Sequence, residues 1–173
     1  MIPVRSGSSR QTVSEQPHLL DYIKSSPLAQ DLTERDCGFL ETVMTRRTLE
    51  KDQYLFREGE DSDTLYLVVS GRLAVTKDVP GESVVLHVLG PGMLTGEMGF
   101  IDGTKHIANV VALEPTTVLS LRREAFETLV PEHPNMTYHV MRAIIRLVHS
   151  TLKRMNMQYI EMSNYITKTH GRY

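Results

Sequence analysis

The feature that most restricts this chain is the stretch from Arg46 to Leu121. Short apolar runs there are broken by turn residues at intervals of about eight to twelve positions, the rhythm of a β-sandwich or barrel. The runs are Thr48–Leu49, Gln53–Arg57, Leu65–Ser70, Arg72–Lys77, Ser83–Leu89, Met93–Thr95, Ala108–Leu113 and Thr117–Arg122. About eight strands is a jelly roll's number, so the expected fold is mainly β with flanking helices, a double-stranded β-helix. Asp61-Ser62-Asp63 and Pro80-Gly81-Glu82 mark tight connections, and Gly71 joins two strands in a short hairpin. The two longest runs, LYLVV from Leu65 and VVLHVL from Val84, are apolar at nearly every position. Both are expected as covered walls of the roll, with His87 turned outward or paired as a polar residue inside.

Helical spacing frames the β region. Leu19, Leu20 and Ile23 predict a short helix stopped before Pro27. Thr33 reads as an N-cap with Asp36 three residues on, followed by Phe39, Leu40, Val43 and Met44 on one face and Cys37 as a small core residue. Leu121–Val130 predicts another short helix, with Phe126, Leu129 and Val130 inward and Pro131 and Pro134 ending it. From Asn135 to about Thr167 one long helix is expected, with Met141, Val148, Met155 and Met162 seven residues apart and Ile145, Leu152, Tyr159 and Ile166 repeating a turn along. That is a coiled-coil seam, and beyond Leu152 a single small roll has too little surface to cover it, so a parallel homodimer is expected. The organisation read this way is a flexible arm at 1–16, poor in apolar residues, a β-roll with its N-terminal helices at 17–133, the dimerisation helix at 134–168, and a tail at 169–173.

Charge and motif content narrow the chemistry. A net charge of -2 with scattered basic residues does not point to nucleic acid or an acidic membrane. Cys37 is the one cysteine, which excludes an intrachain disulfide and suits a reducing cytoplasm. No apolar run approaches the roughly 20 residues that span a bilayer. No GxSxG elbow, Walker-type lysine or HExxH is present, and the histidines show no ligand-like pairing, so no catalytic residue, metal site or resident cofactor is expected.

One stretch stands apart. Gly90–Val111, GPGMLTGEMGFIDGTKHIANVV, packs five glycines, an acid and two possible cations between β-like runs. Read as a turn between strands, it lets Gly96 and Gly99 take positive φ and aim backbone N–H groups at an anion. Glu97 among them suits a ligand carrying hydroxyls as well as a phosphate, with Lys105 and His106 facing the phosphate.

These residues resemble the phosphate-binding cassette of the cyclic-nucleotide-binding domain family. The similarity extends to Leu49–Lys77, with its REGE turn at Arg57–Glu60 and SGR turn at Ser70–Arg72, and covers roughly Leu28 to Met155. It implies a ligand site at Gly96, Glu97, Met98, Gly99, Lys105, His106, Ile107, Ala108 and Thr151. The glutamate would accept from a ribose hydroxyl, the backbone from Gly96 to Gly99 would meet the phosphate, and the long helix, through Thr151, would close over a purine. The sequence departs from the family at His106, normally arginine, and at Ile107, normally small. A neutral imidazole cannot reproduce arginine's bidentate, always-charged fork, so binding of cAMP or cGMP is expected to be weakened. Relatives that regulate transcription carry a helix-turn-helix after the long helix, whereas only Thr167–Tyr173 follow here, so no DNA contact is expected. Two readings stay open: a stand-alone regulatory module that senses a cyclic nucleotide or related effector and signals through dimer geometry to a protein partner, or a dimeric scaffold that has lost cAMP binding.

Overall fold

In the computed structural model, which describes residues 18–170 and their side chains as far as residue 165, the chain forms eight strands and five α-helices among the described residues. The arm expected at 1–16 and the residues from 171 onward lie outside that range. Two short helices come first, α1 (Leu19–Ser25) and α2 (Glu34–Val43), separated by a 3-10 turn at Pro27–Ala29. Thr33 caps α2 as its sequence predicts: its hydroxyl accepts from the Asp36 N–H, and the Asp36 carboxylate accepts in return from the Thr33 N–H at 2.9 Å. The helix stops at Val43. Met44, grouped above with the helical face, instead opens the first strand.

The strands are β1 (Met44–Leu49), β2 (Tyr54–Phe56), β3 (Thr64–Ser70), β4 (Leu73–Val79), β5 (Glu82–Leu89), β6 (Leu94–Thr95), β7 (Asn109–Ala112) and β8 (Thr116–Arg122). They pair antiparallel in two four-stranded sheets, ordered β1-β8-β3-β6 and β2-β7-β4-β5, which is the expected jelly roll. A helix α3 (Glu97–Asp102) interrupts the path from β6 to β7. The helix expected over Leu121–Val130 shortens to α4 (Arg123–Glu127), because Leu121 and Arg122 complete the β8 ladder opposite Leu65 and Thr64.

Alternation along the strands divides the apolar residues between two cores. Val68 and Val118 face the space between the sheets with Leu49, Leu73 and Val110. Their neighbours Leu65, Leu67, Leu119 and Leu121 face the opposite side and pack under α1, α2 and the start of the long helix with Ile23, Leu40, Phe126, Val140 and Ile144. LYLVV is therefore apolar throughout because both its faces are covered. VVLHVL is covered only at its end, where Leu89 is buried between the sheets. It lies in β5, the edge of its sheet, paired only to β4, and Val84, Val85, Leu86 and Val88 are exposed. A nearly continuous apolar run marks a strand without saying whether anything packs on its second face.

The long helix α5 (Pro134–His170) has 37 residues, about 55 Å at 1.5 Å per residue. Met136, Val140, Ala143 and Ile144 bury its first turns, and Met141 packs at the edge of the same core. Beyond Leu147 no residue of the helix joins that core. Ile145, Val148, Leu152, Met155, Tyr159 and Met162 are all exposed in the single chain, with Met157 and Ile160 beside them. Asp31, just after the 3-10 turn, ties the buried end down by accepting from Arg146 at 2.6 Å, with Arg142 at 3.9 Å.

Candidate functional site

Between the β2-β7-β4-β5 sheet and α5 lies a cavity of about 380 Å³. Its floor comes from Phe56, Val75 and Val110, its wall from residues 94–99 and 105–108, and its roof from Leu147, Val148, Thr151, Leu152 and Met155. All nine residues singled out from sequence border this one space. Val148, Leu152 and Met155, read as seam residues, border it too, so one helix presents the same apolar row to the cavity and to solvent.

The wall is built by close packing. Gly96 has φ +81°, and a Cβ there would lie 2.4 Å from the Thr64 carbonyl oxygen, so only glycine fits. Gly99 does not take the positive φ expected of it. It is helical, inside α3, and is glycine because a Cβ would fall 1.8 Å from Ser62 Oγ. Glu97 accordingly stands on the first turn of α3 and not in an open turn. Met98 beside it is about half exposed, whereas Ala108 is buried.

The segment at 105–107 is pinned from both sides. The His106 N–H donates to the Glu60 carbonyl at 3.0 Å, and the His106 carbonyl accepts from the Gly59 N–H at 2.8 Å. Lys77 Nζ donates to the Ile107 carbonyl at 2.8 Å and to Glu58 at 2.5 Å. Asn109 completes the clamp, accepting from the Glu58 N–H at 2.9 Å and donating to Asp78 at 3.1 Å. This explains the REGE turn: it holds the cassette strand in place through backbone groups.

The side chains at this end make contacts of their own within the chain. The His106 ring lies flat on Phe56, with centroids 3.5 Å apart and planes 6° from parallel. Burial pushes its pKa below the ordinary histidine value, partly offset by the nearby Glu60 carboxylate, so the ring is neutral at pH 7. Lys105, expected to face a phosphate, pairs with Asp61 at 3.4 Å on the surface. Ile107 is 64% exposed and thus crowds the mouth of the cavity, not its interior.

The sequence reading missed His87. It borders the cavity, and its Nδ1 is buried without a hydrogen-bond partner, so it is neither turned out nor satisfied. The available signal was a lone polar residue interrupting an apolar run. Burial again lowers its pKa, helped by Arg154. Both imidazoles are therefore neutral in the fold at a pH where the unfolded chain begins to bind protons. The unfolded state then carries more protons than the native one, and stability falls as pH drops below about 6.5. The melting temperature is expected to be lower at pH 5 than at pH 7.5, and a His87→Gln variant should flatten part of that slope in scanning calorimetry. Asp31, Asp63 and Glu114, whose pKa values are lowered by Arg146, Thr64 and Arg72 respectively, lose their contribution only below about pH 4.5, outside this window.

Among the described residues no three His, Cys, Asp or Glu side chains converge as metal ligands, and no helix is long and apolar enough to cross a membrane. The architecture is a jelly roll whose side cavity is walled by a glycine-rich helical turn and roofed by a long helix. Residues 46–133 match the family model for the cyclic nucleotide-binding domain, and the chain belongs to that family. It is 30% identical over 125 residues to the cyclic AMP receptor protein of Thermus thermophilus, a match covering 72% of this chain and 58% of the receptor. A crystallised cyclic nucleotide-binding domain from Methylobacillus flagellatus superposes with a TM-score of 0.73 at 26% identity, covering 83% of this chain and 81% of that one. The crystallised catabolite activator protein of Thermus thermophilus gives 0.65 at 29% identity, covering 80% and 63%. The chain thus spans less than two thirds of the length of either Thermus protein.

Proposed function

We propose that this chain is a non-enzymatic, cytoplasmic regulatory module that binds a small effector in the side cavity and transmits its presence through α5 to a second copy and thence to a protein partner. The observation that carries this is the roof: Leu147, Val148, Thr151, Leu152 and Met155 of α5 border the cavity, so occupancy and helix position are linked. Cyclic nucleotides are the family's ligands, and the Glu97 and Thr151 ends suit a sugar and a base. The phosphate end is weakened by loss of the guanidinium, about 1.5–3 kcal/mol for a charge-assisted hydrogen bond, or roughly ten- to more than a hundredfold in affinity.

Thermal melts with cAMP and cGMP test the site. A ligand at a hundred times its dissociation constant adds about 2.7 kcal/mol, so millimolar cAMP should raise the melting temperature if its affinity is in the ten-micromolar range. The second reading, a dimeric scaffold with no effector, draws on the engagement of Lys105 by Asp61 and His106 by Phe56. A flat melt with every ligand tried would favour it.

Dimerisation is supported by the exposed apolar row from Ile145 to Met162, since contiguous apolar patches mark contact surfaces. Light scattering should give about twice the 19.6 kDa chain mass. Tyr159→Glu, chosen because Tyr159 does not border the cavity, should halve that mass without altering the far-ultraviolet dichroism of the roll. An unchanged mass places the interface elsewhere.

A further inference from the structure

We infer that Asp31 is a positioning residue for the effector site: its carboxylate grips the back of α5 through Arg146 and Arg142 and so sets where the roof stands over the cavity. This rests on the effector-site reading above and adds to it a residue that does not itself border the cavity.

Helical spacing separates the two sides of α5. His139, Arg142 and Arg146 follow one another at intervals of three and four, which puts them on one face. At about 100° per residue, Val148, Thr151 and Met155 of the roof lie roughly half a turn away from Arg142 and Arg146. Arg146 donates to Asp31 at 2.6 Å, and Arg142 stands 3.9 Å from the same carboxylate. The hydrogen bond from Arg146, helped by the charges of Arg142 and His139, holds the Asp31 carboxyl below its ordinary pKa. Arg146 also sits at a handover. Met136, Val140, Ala143 and Ile144 are buried in the core before it, and Leu147 and Val148 begin the roof after it. Its tie to Asp31 therefore falls where the core stops fixing the helix.

Asp31 can hold the helix because its own backbone is held. Leu28 and Leu32, on either side of it, pack into the same core as Val140 and Ile144. In the same segment Pro27 stands against the turn before β6, where a Cβ on Gly92 would meet its Cγ at 3.4 Å. Strand β6 in turn supplies Leu94 and Thr95 to the cavity wall. One short stretch, Pro27 to Asp31, thus touches both the route into the wall and the base of the roof. Farther along α5 the contact is softer: Arg154 reaches Met93 Sδ at 3.5 Å, a weak acceptor beside a carboxylate. With the Asp31 tie cut, the core still anchors α5 through Ile144, but the overhang from Leu147 onward loses the charge that fixes its direction.

Amide hydrogen exchange, read by mass spectrometry on the full chain without ligand, tests this directly. Asp31→Asn keeps the size of the side chain and removes its charge. Peptides covering residues 147–155 should then exchange about three- to tenfold faster, with those of β3 and β8 unchanged. Arg146→Gln should give the same pattern, and the double variant should be little faster than either single one, because both remove one interaction. Asp31→Glu, which keeps a carboxylate, should restore most of the protection. An unchanged roof in Asp31→Asn overturns the inference, as do losses that add in the double variant. Acceleration spread evenly over the strands overturns it too, since that is a general loss of stability. Titration with cAMP separates the inference from the reading beneath it: Asp31→Asn should bind severalfold more weakly than the wild type, and equal affinity overturns the positioning role. If neither cAMP nor cGMP shifts the wild-type melt while the exchange pattern holds, the effector-site reading falls and the grip of Asp31 on α5 stands.

Discussion

His106→Arg combined with Ile107→Ser raises the affinity for cAMP about ten- to a hundredfold in titration calorimetry, the equivalent of one charge-assisted hydrogen bond in a partly buried site. The geometry is prepared for the exchange. A guanidinium is planar and stacks on aromatic faces, so it can occupy the place above Phe56 where the imidazole now lies 3.5 Å away and 6° from parallel. The backbone at 106 and 107 is held by Gly59, Glu60 and Lys77 through main-chain atoms, which neither substitution removes. The second substitution also clears the exposed isoleucine from the mouth. The pH dependence separates the two proteins. In the wild type, cAMP affinity should improve as pH falls through the lowered pKa of His106, because protonation supplies the missing cation; in the arginine variant the charge is permanent and that rise disappears. No gain at any pH would mean that the sugar and base do not fit beneath α5, which favours the scaffold reading.

How much of this was legible in the sequence depends on whether the controlling interaction was local. The eight strands, the capping box at Thr33 and Asp36, and the long helix follow from periodicity and short-range chemistry, and the structure has them with ends shifted by a few residues. What failed needed three-dimensional neighbours. Met44 fits a helical face by spacing, but its backbone pairs with Leu121 across the sheet. Val84 to Val88 look like a buried wall until the strand order places β5 at an edge. Lys105 looks available to a phosphate until Asp61, 44 positions earlier, is found beside it. His87 reads as ordinary from sequence because only the fold shows that nothing reaches its Nδ1. The cassette's position was legible from its density of glycines with an acid among them, but the reasons for two of those glycines, Thr64 behind Gly96 and Ser62 behind Gly99, lie outside the segment. The contacts of His106 and Lys105 depend on Phe56 and Asp61, which that segment does not contain.

Gly99→Ala is expected to destabilise the fold by about 2–3 kcal/mol in urea unfolding, at the upper end for inserting a methyl into a packed core. The new Cβ would lie 1.8 Å from Ser62 Oγ, 2.1 Å from Ser62 Cβ and 3.0 Å from the Ser62 backbone carbon. Ser62 is buried, so its side chain does not escape the new methyl simply by turning into solvent. Relief must come from moving α3, which carries Glu97 into the cavity wall, so ligand affinity should fall together with stability. Ser62→Gly removes the two closest atoms, and the double variant Ser62→Gly with Gly99→Ala should recover most of the loss, a coupling that a double-mutant cycle reads directly. Gly59 supplies the control. Its φ is +82°, but a Cβ there meets nothing within 4 Å, so Gly59→Ala should cost only the conformational penalty of about 1–2 kcal/mol and show no coupling to Ser62. Equal, uncoupled losses at the two glycines would mean that backbone conformation, and not contact with Ser62, fixes α3 against the roll.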